Sequence, residues 1–281
     1  ASFRTNSANL VGGGLELQLN GLLLNRGSFN WRSNLNISYE QYKVSKYLST
    51  VAFDNAYVSD GASISPLVGY NPYLIVSHAW AGLSASNGDP QGYLNGQLST
   101  DYVALFRNEL NQQVVAGPAL PPVFGNMLQQ FTYGRLSLSA NLTFRLGHYF
   151  RRSALQYGAL FANGAMHSDY LLRWQQPGDE LSTSVPSISY PISTNRDSFY
   201  KNASVTVASA SHIKLQDVRL GYTVENRFLA KLGLAELHVF AMADNLNVTL
   251  WKANKFGLDP QYPNGIRPKA TMAMGLKVEF K

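Results

Sequence analysis

The chain has 281 residues, no cysteine, 14% charged residues and a formal net charge of +6. Lack of cysteine excludes disulfides and thiolate metal sites, and charge falls well below the roughly 25% of soluble domains. Basic residues are spread along the chain instead of gathered on one face, which argues against a nucleic-acid partner. No apolar run of about 18 residues offers a transmembrane helix.

The start, residues 1–4 (ASFR), leads into polar sequence without an apolar core and reads as mature, internal or processed. Leu15, Leu17, Leu19 and Leu23 then alternate with Glu16, Gln18 and Asn20. Residues 26–28 (RGS) make a tight turn, with Gly27 free to take positive φ. Trp31, Leu35, Ile37 and Tyr39 next alternate with Arg32, Asn34, Asn36, Ser38 and Glu40. Alternation at period two gives a strand one apolar and one polar face, so the pair reads as a hairpin of long strands.

Leu136, Leu138, Leu142, Phe144 and Leu146 repeat the pattern against Ser137, Ser139, Asn141, Thr143 and Arg145. Eleven residues at about 3.3 Å each give roughly 36 Å, about twice a usual soluble strand. The C-terminal stretch has Met272, Met274, Leu276, Val278 and Phe280 on one face and Thr271, Ala273, Gly275, Lys277 and Glu279 on the other. Less regular strands are expected at 67–83, 209–224 and 236–246, with a parity shift between Leu215 and Val218 that fits a bulge or a late strand start. The expected spanning strands are therefore 11–24, 29–42, 67–83, 130–146, 209–224, 236–246 and 270–280, separated by long loops at 43–66, 84–128, 147–208 and 247–269.

Long two-faced strands with long polar connections predict an all-β fold, a transmembrane antiparallel β-barrel. A soluble β-sandwich binding module is the alternative, since its strands also alternate.

Several segments carry a resemblance. They are 80–83 (WAGL), 87–96 (NGDPQGYLNG), 117–125 (GPALPPVFG), 131–133 (FTY), 149–152 (YFRR) and 173–180 (RWQQPGDE). The order continues with 213–222 (IKLQDVRLGY), 244–246 (DNL), 257–260 (GLDP) and a last strand ending at Phe280. In order and spacing they resemble the C-terminal part of SusC/RagA-type, TonB-dependent outer-membrane transporters. The resemblance implies a plugged barrel of 22 strands, of which this chain would supply about seven, with the plug absent. It implies a place in the outer membrane of a Gram-negative cell and contact with its lipid bilayer. It also implies a SusD-like surface lipoprotein as lid, the remaining barrel and plug as partners, and TonB acting through the plug. The expected function is the wall and external loops of an importer of oligosaccharides or peptides. The alternative is a structural SusC-like component of a larger outer-membrane assembly without active import.

The chain is expected not to be an enzyme, and no catalytic residue, metal ligand or cofactor is assigned. The five histidines show no metal-ligand spacing, and neither a His-Glu-x-x-His nor a Gly-x-Ser-x-Gly motif occurs. Trp80, Trp174, Tyr190 and Trp251 are the candidate substrate-binding residues, because aromatic rings stack on sugars or clamp peptide side chains.

Overall fold

The computed structural model describes residues 6–48, 57–224, 233–263 and 265–280. The chain start at 1–4, residues 49–56 of the expected 43–66 loop, 225–232 of the expected turn at 225–235, and Lys281 lie outside the described residues. The strands begin with β1 (Ala8–Arg26), β2 (Phe29–Tyr47), β3 (Ser59–Asp60), β4 (Leu74–His78), β5 (Gly92–Leu94) and β6 (Gln97–Ser99). Helix α1 (Tyr102–Leu105) precedes β7 (Gln113–Pro118), β8 (Val123–Tyr133), β9 (Leu136–Leu146) and β10 (Tyr149–Arg151). Helices α2 (Tyr157–Asn163) and α3 (Thr194–Asn202) precede β11 (Val207–Ser209), β12 (His212–Val224), β13 (Leu234–Asp244), β14 (Val248–Lys252) and β15 (Thr271–Phe280).

The chain divides into two compact units. One comprises Gly14–Glu40, Pro121–Leu146 and Ala210–Lys281 and holds a long antiparallel sheet in the order β1-β2-β8-β9-β12-β13-β15, with β14 also on β12. Partners in register share a face. One face therefore collects Leu35, Met127, Leu142, Leu215, Val239 and Leu276, and the other Asn36, Asn126, Thr143, Arg219, His238 and Lys277. Tight turns join β1 to β2 and β8 to β9, with Gly27 at φ 59° and Gly134 at φ 55°. The residue opposite Asn141 on β12 is Asp217, because the register shifts between Leu215 and Asp217. That bulge explains the parity shift in the sequence.

β13 and β14 share one side of β12, and the 245–247 link between them turns through Asn245 at φ 53° and Asn247 at φ 49°. Asparagine tolerates this left-handed conformation better than most residues. Beyond β14, residues 257–262 fold back so that Lys214 Nζ donates to Asp259 Oδ1 at 2.7 Å and to Gln261 Oε1 at 3.2 Å. Burial opposes ionisation of Asp259, but Lys214 and the Gln261 N–H outweigh it and hold the carboxyl below its usual range.

The other unit comprises Ala1–Gly13, Gln41–Leu120 and Gly147–Ser209. Its centre is β4, whose five residues are all buried and which pairs with β3 and β7. Leu67, Leu74 and Val76 pack with Tyr57 and Leu110, while Leu155, Tyr157 and Val185 pack with Leu160 and Tyr170. Asn95 and Gly96, both at positive φ, close the β5–β6 hairpin as the turn geometry requires.

Several expectations are corrected here. The chain is mixed β and α, and its sheets are open. β1 and β15 are the outer strands of the long sheet, and neither pairs a further strand among the described residues. The described residues therefore form no closed transmembrane β-barrel. Alternation identifies a two-faced strand, and an open sheet uses such strands as readily as a barrel does. The expected strand at 67–83 is no spanning strand, because β4 belongs to the small sheet; β8 takes that place between β2 and β9. The expected strand 130–146 is the hairpin β8–β9, which turns at Gly134. Integral placement in the outer membrane rested on a closed barrel wall and is withdrawn with it. No helix among the described residues is long and apolar enough to cross a membrane.

Candidate functional site

Residues 153–192 expose an unusual number of apolar side chains. Leu181 is 89% exposed, Tyr190 83%, Leu171 80% and Met166 70%, with Phe161 and Leu172 also open to solvent. Isolated exposed apolar residues are ordinary, whereas exposed apolar residues that adjoin one another can form a contact surface, as Phe161 and Tyr190 do with ring centroids 5.9 Å apart.

The frame beneath these side chains is stiff. Trp174 is buried, its backbone N–H donates to Val185 O at 2.9 Å, and its indole Nε1 donates to Glu180 Oε2 at 3.1 Å. That indole bond is the main cause holding the Glu180 carboxyl below its usual value. Tyr157 Oη donates to Pro186 O at 2.8 Å. Ser193 caps α3 by accepting from Arg196 N, and the buried Arg196 side chain donates to Asp89 Oδ1 at 2.6 Å and Ser187 O at 2.9 Å. Buried charges persist only when paired and hydrogen-bonded, and Arg196 is both.

A second buried arginine ties the strands together. Arg151 donates to Ala203 O, Thr206 Oγ1, Ser59 O, Val76 O and Ser77 Oγ, all within 2.9–3.2 Å. Burial lowers its pKa to about 10, against the pull of Asp60. Beside it His78 lies between Phe106 at 5.2 Å and Phe199 at 5.4 Å. Burial first, and Arg151 second, lower its pKa to about 4.

Among the described residues, serine, histidine and aspartate meet at Ser153, His167 and Asp169, in an arrangement unsuited to nucleophilic catalysis. Ser153 Oγ is 3.1 Å from His167 Nε2, and His167 Nδ1 is 3.7 Å from Asp169 Oδ1. The Asp169 backbone N–H donates to Nδ1 at 3.1 Å, which leaves the imidazole proton on Nε2, aimed at the serine. A triad base needs the opposite tautomer. Asp169 is moreover ion-paired with Arg152. Among the described residues no three side chains gather as a metal site.

The four aromatic candidates are not brought into one site. Trp80 is half-buried and tilts against Tyr200 at 5.8 Å. Trp174 is interior, whereas Tyr190 is exposed and meets Phe161 edge-on at 5.9 Å. Trp251, on β14 opposite Ile213, belongs to the sheet unit and is 47% exposed. The frame residues Arg151 and Arg196 escape a sequence reading, since nothing in the chain distinguishes a buried arginine from a surface one. Their segments carry the only signal, in 149–152 and in Asp89 of 87–96.

No protein-family model matches the sequence, and no curated protein matches it. Solved structures do. The chain is 18% identical to a chain in the structure of the RagAB peptide transporter, with a TM-score of 0.67, covering 96% of this chain and 29% of that one. Against the RagAB peptide importer in its open-open state the identity is 20% and the TM-score 0.68, and in its closed-closed state 20% and 0.64, with the same coverage. At this identity the likeness is one of fold. The chain spans less than a third of the length of the chains it resembles. Import by this chain, the function expected first, is corrected: the open sheets enclose no pore among the described residues. What remains is a distant structural similarity to the SusC/RagA type.

Proposed function

We propose that the chain is a structural, SusC/RagA-like component of a larger assembly that does not itself import. The observation that carries this reading is the open sheet, whose outer strands β1 and β15 pair no further strand among the described residues and whose apolar side chains on β15 are exposed. Met272 and Met274 on that strand are 81% and 86% exposed. Long unpaired edges and large bare apolar surfaces are liabilities in an isolated chain and assets in an assembled one. A SusD-like protein is the partner proposed for the exposed rim of residues 153–192, and the remainder of a SusC/RagA-like protein is the partner proposed for the sheet. Of the aromatic candidates, Tyr190 and Trp251 keep rings open to a ligand or partner, which supports a contact role for these two. Trp80 and Trp174 serve to position the rim. The resemblance to a transporter type also favours a role without bond chemistry.

Native electrophoresis and cross-linking of the protein from its own cells test this. The expected result is a complex several times 31.0 kDa, cross-linked through residues 153–192 to a SusD-like partner. A monodisperse monomer in plain buffer would overturn it.

A further inference from the structure

Asparagine followed by glycine occurs five times in the chain, at 20–21, 87–88, 95–96, 163–164 and 264–265. Glycine offers its backbone nitrogen without a side chain to shield it. Where that nitrogen and the asparagine amide are both free, and the backbone can turn, the nitrogen attacks the side-chain carbon Cγ. Asn264 lies outside the described residues. The fold treats the other four pairs differently.

Three of them are held. Asn20 and Gly21 stand inside β1, whose extended backbone is fixed by pairing with β2. Asn87 Nδ2 donates to Asp89 Oδ2 at 2.8 Å, and Asn87 Oδ1 accepts from Asp89 N at 3.1 Å. Its neighbour Gly88 is buried and donates its N–H to Ser84 O at 2.8 Å. Asn163 is the last residue of α2, and the Gly164 N–H is committed to Leu160 O at 2.9 Å.

Asn95 and Gly96 are the exception. They form the two-residue turn between β5 and β6, at φ 50° and 77°, and both are exposed. Among the described residues, neither the Asn95 amide nor the Gly96 N–H engages a partner. A Cβ at Gly96 would meet nothing within 4 Å, so no neighbour crowds the attacking nitrogen. The attack requires the turn to open, and only three residue pairs hold β5 to β6. A short surface hairpin opens far more readily than a long strand within a sheet.

We propose that Asn95 is a site of selective, spontaneous deamidation, which slowly converts this turn into an acidic one. Gly96 N forms a bond to Asn95 Cγ, and the Cγ–Nδ2 bond breaks. The amide nitrogen leaves as ammonia with the proton that Gly96 N gives up, and a succinimide ring remains. Water then opens the ring at either carbonyl carbon, which yields aspartate or isoaspartate. The sum is one water consumed and one ammonia released. Asn95 lines a cavity of about 530 Å³ with Arg107 and Glu109, so the product carboxylate adds a charge beside both. Isoaspartate also lengthens the main chain by one methylene in a turn whose loop length sets its geometry. Nothing in this step rests on the assembly role.

Peptide mapping by mass spectrometry tests the proposal. The full chain is aged in neutral buffer made with heavy-oxygen water, and chymotryptic cleavage at Tyr93 separates Asn87 from Asn95. Asn95 takes up heavy oxygen at least about tenfold faster than Asn20, Asn87 or Asn163, which is about 1.4 kcal/mol of added barrier at the held sites. The rate rises with pH, because the attacking nitrogen must shed its proton. An isoaspartyl methyltransferase labels the aged chain on the same peptide, and Asn95→Gln abolishes that label. In the urea-unfolded chain the four sites react alike, which assigns the selection to the fold. A held site that keeps pace with Asn95 in the folded chain would overturn the proposal. So would an Asn95 that reacts only after unfolding, or a preference for Asn95 that persists undiminished in urea.

Discussion

Gly88 lies flat against the indole of Trp174. A Cβ on Gly88 would stand 2.5 Å from Cδ2 and 2.6 Å from Cε3 of that ring, and the residue sits at φ 70°. The contact joins two segments 86 residues apart, and the neighbouring Asp89–Arg196 ion pair at 2.6 Å secures the same loop. Gly88→Ala therefore meets two costs, backbone strain of about 1–2 kcal/mol and overpacking of about 1–3 kcal/mol. Urea unfolding followed by tryptophan fluorescence is expected to show a loss of about 2–4 kcal/mol. A loss below about 0.5 kcal/mol would show that the ring moves aside freely.

His78 makes the loop-rich unit acid-sensitive. Its pKa falls from 6.5 to about 4 on folding, through burial and the nearby Arg151. Between those values the unfolded chain binds a proton that the folded chain refuses. Stability is then complete above pH 6.5 and drains away as pH falls toward 4, the sign that linkage requires when the unfolded state holds more protons. The loss is of order 3 kcal/mol. His78→Phe, which keeps a ring between Phe106 and Phe199, is expected to flatten this limb of the stability–pH curve. An unchanged limb in the variant assigns the acid sensitivity to another group.

How far the sequence carries depends on whether a residue's role is written in its spacing. The polar faces of β2, β9 and β15 are written there, because Asn36, Asn141 and Lys277 each fall at alternate positions among apolar neighbours. β8 is not, since Phe124 and Leu128 stand on its polar face and break the alternation. β4 reads as a spanning strand because Leu74, Ile75 and Val76 are apolar, yet a continuous run signals burial on both faces, as found. Gly134 closes a hairpin as Gly27 does, but with Tyr133 and Leu136 on either side of its two-residue turn it passes for strand interior. The aromatic candidates fail differently. Trp174 looks like a binding residue and is spent on packing, because composition cannot say which way an indole faces. Nor does alternation distinguish a strand in an open sheet from one in a closed wall.

Arg151 is expected to be the most costly single side chain in its unit. Its five acceptors come from β3, β4 and residues 203–206, so one guanidinium satisfies backbone carbonyls that otherwise face each other. Arg151→Met strands these buried acceptors and costs about 3–5 kcal/mol in urea unfolding. Arg151→Lys retains charge but offers three donors from a single point, and recovers less than half of the loss. Arg107→Met, at an exposed position, stays within about 0.5 kcal/mol. Equal effects at the two positions would deny Arg151 its role as a tie.

Across the polar face of the long sheet runs a ladder of side-chain amides. Asn36 Nδ2 donates to Asn126 Oδ1 at 3.1 Å, Asn126 Nδ2 to Asn141 Oδ1 at 3.1 Å, and Asn141 Nδ2 to Asp217 Oδ2 at 2.9 Å. Four adjacent strands contribute one residue each, and the β12 bulge brings Asp217 into the row. Every amide donates in the same direction and the row ends on a carboxylate, so each bond polarises the next. Asn126→Ala removes two rungs and leaves Asn36 and Asn141 with a lost partner each, at about 1–3 kcal/mol. Asn141→Ala removes a rung on either side of itself and costs a similar amount. Because the rung between them is shared, the double variant costs less than the two single losses added, by about 1 kcal/mol. Urea unfolding of the four proteins in this cycle measures that coupling. Simple additivity would mean that the row holds no register, and that backbone pairing alone aligns β2, β8, β9 and β12.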